Sequence, residues 1–245
     1  MCSAKGRRRR LLSARPKLFA QQNRVARMAR GPPLCHEPAM TGLTAPDAPP
    51  LVLASASAAR VALLRAAGLA VAAVPAAVDE AHIKQGAQAE GADAQAVALL
   101  LAHTKARRVA ARLPQALVIG ADQMLVCEDR WFDKPRDMAE ARAQLLALRG
   151  RTHALVSAVV CLRDGAPIFT HVARPLLTMR AFSEAFLDAY LAIEGEAVLS
   201  AVGAYRLEGP GVQLFERVQG EHAAILGLPL LALLGFLRQH GVLLG

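Results

Sequence analysis

The chain has 245 residues, 54% of them hydrophobic and 20% charged, with a formal net charge of +9. That length and apolar content suit one compact domain with a sizeable core and exclude wholesale disorder, and no uncharged apolar run reaches the ~18–20 residues of a membrane span. The charge is unevenly placed: residues 1–39 hold ten basic residues against a single acid, Glu37, so the rest of the chain carries nineteen of each sign and lacks the basic footprint that duplex binding requires.

Residues 1–50 read as a basic, disordered extension and 51–245 as the folded domain. An Arg-rich, acid-poor segment also suits a targeting peptide, a nucleic-acid arm or a membrane-surface helix. A secretory signal is disfavoured because no apolar stretch follows the arginines. Pro46, Pro49 and Pro50 predict an extended approach to the first strand. LVLA at 51–54 is a short apolar run ended by small polar residues, the pattern of a buried strand entering a loop. ARVALLRAAG follows with helical spacing and Gly68 at its C-terminal end, and LAVAAVP reads as a second strand. Residues 91–113 are strongly helix-forming, and ALVIGADQMLV is a further buried strand that leaves through a loop, with a hairpin turn at Asp129–Arg130. A helix after Pro135 ends at Gly150; strands over 153–163 and 168–179 flank a hairpin at Arg163-Asp164-Gly165. FSEAFLDAYLAIEG is an amphipathic helix, residues 203–220 form a Gly-rich passage, and LPLLALLGFLRQHG is a C-terminal helix. Alternating helices and strands without a repeat predict an α/β protein on a mixed sheet. Cys2, Cys35, Cys127 and Cys161 form no CxxC pair, which disfavours a disulfide framework or zinc site and points to a reducing cytoplasm.

Five loop clusters carry chemistry. Ala54-Ser55-Ala56-Ser57-Ala58-Ala59-Arg60 lies at a strand-to-helix junction, where small residues, a helix N-terminus and an arginine suit an anion. Val78-Asp79-Glu80 places two acids after a strand, able to hold a hard divalent cation. Lys105 sits in the long helix near Arg107 and Arg108, a setting that on its own predicts a solvated face. Asp122, in Gly120-Ala121-Asp122-Gln123, is read at the end of a core strand, a typical ligand or base position. Lys134-Pro135 holds one lysine before a rigid proline. His82, His103, His153 and His222 offer no metal spacing and read as structural or surface residues, while Trp131 suits either a base or an exposed loop.

In order and spacing, ASxSxxR, VDE, AxxKA, GADQ, KP, LRGRTH, LEGPGVQLFERVQG and GLPL resemble the Maf family of nucleoside triphosphate pyrophosphatases, from about Leu51 to the C-terminus. The resemblance implies an elongated, two-lobed α/β fold around a mixed sheet with a cleft between the lobes, and a homodimer. It implies hydrolysis of a nucleoside triphosphate between the α and β phosphates with a divalent metal, Mg²⁺ or Mn²⁺. Carried across, Asp122 is the catalytic acid; Ser55, Arg60, Lys105 and Lys134 bind phosphate; Glu80 and Asp122 hold metal. Whether Asp122 serves as base, ligand or both stays open.

The chain departs from the family pattern at Ala58-Ala59, where a large residue usually precedes the arginine, and at Phe132-Asp133, where a glycine commonly precedes Lys-Pro. Gln123 and Glu208 resemble the branch acting on 7-methyl-GTP, so Ala59, Gln123 and Glu208 are the candidate specificity residues. A regulatory binding protein of cell-division arrest is the alternative, and the retained acids and lysines favour the enzyme. Neither a stable nucleic-acid complex nor a membrane partner is expected.

Overall fold

The structure, a computed structural model, describes residues 43–245. The expectations for the basic extension up to residue 42, with Cys2 and Cys35, lie outside the described residues. Folded contacts begin before Leu51. Thr44 bridges Leu243, and Ala45 N–H donates to Val242 O at 3.0 Å, so residues 43–48 belong with the packed chain.

Eight strands form one mixed sheet: β1 (Leu51–Leu53), β2 (Val71–Ala73), β3 (Leu117–Cys127), β4 (Arg130–Phe132), β5 (Thr152–Arg163), β6 (Ala166–Ala173), β7 (Leu176–Met179) and β8 (Phe215–Gln219). The order is β2-β1-β3-β5-β7-β8, with β4 on β3 and β6 on β5. Strands β2, β1 and β3 are parallel and every other pairing is antiparallel. The helices are α1 (Ala58–Ala66), α2 (Glu80–Ala89), α3 (Ala94–Ala110), α4 (Met138–Leu148), α5 (Glu184–Glu194), α6 (His222–Ile225) and α7 (Leu230–Gln239).

Side chains of α1, α7 and one face of β1 and β3 form one core, around Leu53, Leu64, Ile119, Val159 and Leu237. The opposite face of β3 and β5 packs on α3 through Val97, Leu101, Ala102, Ala106 and Val109. A third core lies between α4, α5, β7 and the C-terminal half of β3. The sheet thus serves two halves, joined by the long β3–β5 pair.

Several expectations need correction. Asp122 is in the middle of an eleven-residue strand, because antiparallel pairing with β5 continues from Val118 to Val126 after the parallel partner β1 has stopped at Ile119. Val78-Asp79-Glu80 is a helix start: Asp79 caps α2 by accepting from His82 N–H at 3.0 Å, and Glu80 is its first residue. The strand expected over 168–179 breaks at Arg174-Pro175 into β6 and β7, which pair with opposite ends of β5. The Gly-rich passage contains 3₁₀ turns and the edge strand β8. The first hairpin turns at Glu128-Asp129, where Glu128 has φ +55°, one residue earlier than expected.

Candidate active site

Both β1 and β4 line the edge of β3 that faces away from β5. Strand β1 covers residues 117–119 and β4 covers 125–127, so residues 120–124 have no strand beside them on that edge. A cleft of about 1170 Å³ opens at this gap. All nine candidate residues border it: Ser55, Ala59, Arg60, Glu80 and Lys105 from the first half of the chain, then Asp122, Gln123, Lys134 and Glu208.

Lys105 is the centre of the acidic cluster. The stripe Val97, Ala98, Leu101, Ala102, Ala106 and Val109 turns its face of α3 inward, so Lys105 is buried and not solvated as its basic neighbours suggest. Its Nζ donates to Asp122 Oδ1 at 2.6 Å and lies 2.6 Å from Glu80 Oε1. Gly120 brings α3 this close. A Cβ there would meet Ala102 O at 2.2 Å and Ala106 Cβ at 2.8 Å. Asp122 Oδ2 is buried with no hydrogen-bond partner. Burial opposes ionisation of Glu80, but the hydrogen bond and charge of Lys105, aided by Lys84 and Lys134, outweigh it and hold its carboxyl below the usual range.

The phosphate-type cluster is built on the turn from β1 into α1. Ser57 caps α1, accepting from Arg60 N–H at 3.4 Å, and Ser55 Oγ accepts from Ser57 N–H at 3.1 Å. The N-terminus of α1 therefore faces the cleft with its positive dipole end. Arg60 is buried; its Nε donates to Gly227 O at 2.8 Å and its Nη1 to Ser55 Oγ at 3.3 Å. Burial lowers the Arg60 pKa, and the charges of Asp122 and Glu80 push the other way. Gly227 is needed twice over: its φ is +95°, and a Cβ would lie 3.2 Å from Arg60 Nε. Lys134 is exposed on the loop after β4. Next to it Asp133 pairs with Lys84, one turn after Glu80 on α2.

Asp122 and Gln123 point to opposite faces of the sheet. Gln123 Nε2 donates to Ser157 Oγ at 2.8 Å and to Ala224 O and Ile225 O at 3.0 Å. Its amide nitrogen thus ties β3 to α6, and its carbonyl oxygen is the group left to offer. Glu208 is exposed beside Arg206, 3.4 Å away. Ala59 presents only a methyl to the cleft.

Two cleft cations were not picked out from the sequence, Lys84 and Arg206. Helical spacing from Glu80 would have found Lys84 had α2 been read as a helix; Arg206 had no signal. Of the four histidines singled out from the sequence, His153 is buried and its Nε2 lies 2.9 Å from Tyr205 Oη, whereas His82 and His222 are exposed. Trp131 is partly buried against the α3 core.

The donor set fits a hard divalent cation. Among the described residues no group of three or more His, Cys, Asp or Glu side chains gathers, so the protein offers Glu80 and Asp122, including the orphaned Oδ2. One or two carboxylates completed by substrate phosphates and water is the usual magnesium arrangement.

Residues 50–240 match the family profile described as Maf-like protein. A nucleoside triphosphate pyrophosphatase of Granulibacter bethesdensis is 57% identical over 79% of this chain and 98% of its own length. One of the same name from Paramagnetospirillum magneticum is also 57% identical, over 78% of this chain and 99% of its own. A 7-methyl-GTP pyrophosphatase of Rhizobium etli is 49% identical over 80% of this chain and 99% of its own.

Proposed function

We propose, for a chain that belongs to the Maf family, hydrolysis of nucleoside triphosphates to the monophosphate and pyrophosphate. The observation that carries this reading is the convergence of a helix N-terminus, Arg60, Lys134 and the Glu80–Lys105–Asp122 cluster on one cleft. A module that only docks partners has no use for a lysine buried between two carboxylates, since burying charge is unfavourable without a task or a compensating network.

Charge arithmetic supports a divalent metal, Mg²⁺ or Mn²⁺. Five cations border the cleft (Arg60, Lys84, Lys105, Lys134, Arg206) against four acids (Glu80, Asp122, Asp133, Glu208). Lys84, Lys105 and Arg206 are already paired with carboxylates. A triphosphate carries about four negative charges, more than Arg60 and Lys134 offset. Glu80 and Asp122 would hold the ion, which would supply charge neutralisation for the phosphates and acidify a bound water.

The chain's own residues then divide the work. Arg60 and the α1 N–H groups fix the phosphate chain, with Ser55 Oγ free to donate its hydrogen. Lys134, exposed on the loop after β4 and bordering the same cleft, would meet the outer phosphates. Asp122 Oδ1 is locked by Lys105, so Oδ2 is the atom that orients the attacking water or takes its proton. Positioning and charge stabilisation carry most of phosphoryl-transfer catalysis, and this cluster is rigid for that purpose.

Glu208, Ala59 and Gln123 border the same cleft, where the base would lie. N7-methylation gives guanine a positive charge, which favours the Glu208 carboxylate. We therefore place 7-methyl-GTP ahead of dTTP and UTP; a 49% identical relative is named a 7-methyl-GTP pyrophosphatase. No described helix is long and apolar enough to cross a membrane, and Cys127 and Cys161 are free buried thiols, which supports a reducing cytoplasmic setting. A homodimer remains the expected assembly, to be tested by sedimentation. The deciding experiment is pyrophosphate release from a nucleotide panel with Mg²⁺ or Mn²⁺, comparing the wild type with Asp122→Asn. Equal release by both would overturn the assignment.

A further inference from the structure

Arg206 stands between two carboxylates of different kinds. Glu194, the last residue of α5, is buried, with its side chain only 4% exposed, and Arg206 Nη1 is 3.4 Å from its Oε2. No other ion pair to Glu194 occurs among the described residues. A buried carboxylate without a cation is strongly unfavourable, so the fold itself fixes where this guanidinium sits. Its Nε lies 3.4 Å from Glu208 Oε1, and both residues border the cleft.

The surrounding backbone is shaped to this arrangement. A Cβ on Gly209 would lie 2.9 Å from Glu194 Oε1, and one on Gly211 would meet Arg206 O at 2.4 Å and Arg206 N at 2.9 Å. Gly209 thus leaves room for the Glu194 carboxylate, and Gly211 lets the turn close on the Arg206 backbone. Upstream, Ala204 O accepts from Tyr190 Oη at 3.3 Å, and Tyr205 Oη is tied to His153. The segment carrying Glu208 is held from α5, β5 and its own turn.

We propose that Arg206 is a positioning residue for base selection: pinned by the buried Glu194, it aims the Glu208 carboxylate into the cleft. This rests on the reading that Glu208 faces the base. Glutamate alone has three freely rotating side-chain bonds, and at an exposed site those rotamers would blur any discrimination. A planar guanidinium donating along two edges removes that freedom, which lysine cannot do.

The test is a double-mutant cycle with Arg206→Gln and Glu208→Gln, read as kcat/KM for 7-methyl-GTP against UTP. A parallel calorimetric cycle uses the products 7-methyl-GMP and UMP. We expect Arg206→Gln to narrow the wild-type preference about fivefold, through KM, and to have no further effect on the ratio once Glu208 is glutamine. Arg206→Lys keeps a cation for Glu194 and replaces Arg206→Gln in the cycle if that variant fails to fold; it too should narrow the preference. An unchanged ratio, or the same shift in both Glu208 backgrounds, would overturn the proposal, as would an equal loss of kcat on every nucleotide. A wild type that releases no pyrophosphate removes the hydrolase reading instead, and the calorimetric cycle still decides Arg206.

Discussion

Lys105→Met is the most demanding perturbation of the site, because it leaves the fold its apolar stem and removes only the ammonium. In the wild type Nζ lies 2.6 Å from both Asp122 Oδ1 and Glu80 Oε1. Without it, Asp122 is buried with both oxygens unpartnered and with Glu80 close by. Removing one partner of a buried ion pair costs about 3–5 kcal/mol. Glu80 is 46% exposed, so solvent screens its share and the lower end applies. At about 2–4 °C per kcal/mol for a chain of this size, Tm should fall by about 6–12 °C at neutral pH. The sign with pH follows from Glu80: its folded pKa is lowered, so its stabilisation is present above the unfolded carboxylate pKa and lost as pH falls through the folded value. The gap between wild type and mutant should therefore shrink in acid. Lys105→Met combined with Asp122→Asn removes the pair together and should recover most of the stability while staying inactive. Thermal melts from neutral to acid pH measure all three. A single mutant melting within about 2 °C of wild type would refute the buried-bridge argument.

Asp122→Asn should keep the fold and lose about 10²–10⁴-fold in turnover, checked by pyrophosphate release on a variant with a wild-type circular dichroism spectrum. Gly120→Ala should destabilise by about 1–3 kcal/mol in urea titration and lower kcat, since its methyl pushes α3 and Lys105 away from Asp122. His153, whose pKa burial pushes down to about 4, stays neutral when folded while the unfolded chain takes up a proton below about pH 6.5. Stability should thus fall by about 3 kcal/mol as pH drops through that window, and His153→Gln should lose this dependence. A chain beginning at Met40 should match the full chain in Tm and kcat, because the family match starts at residue 50.

The long elements were legible because their signals are local. The apolar stripe of α3, the capping Asp137 of α4 and the Asp164-Gly165 turn, with φ of +52° and +77°, each act within a few residues. What failed depended on partners distant in the chain. Asp122 directly follows the apolar run ALVIGA and so read as the end of a strand; only the pairing with β5, thirty-odd residues later, carries the strand onward. Lys105 looked solvated beside Arg107 and Arg108, although its spacing from Leu101 and Ala102 already placed it on the buried stripe. The glycines of GADQ and GLPL were visible as letters, but their reason is the approach of α3 and of Arg60.

Asp122 and Gln123 adjoin in the chain, yet the pleat sends them to opposite faces, and this separates two tasks. Asp122 meets Lys105 and Glu80 on the α3 face, where Gly120 sets the spacing. Gln123 meets Ser157 and α6 on the other, so the strand cannot slide without breaking both sets of bonds. A one-residue slip would exchange the faces and bury Gln123 against Lys105. On the loop of Lys134, the pairing of Asp133 with Lys84 ties that loop to α2, the helix that carries Glu80.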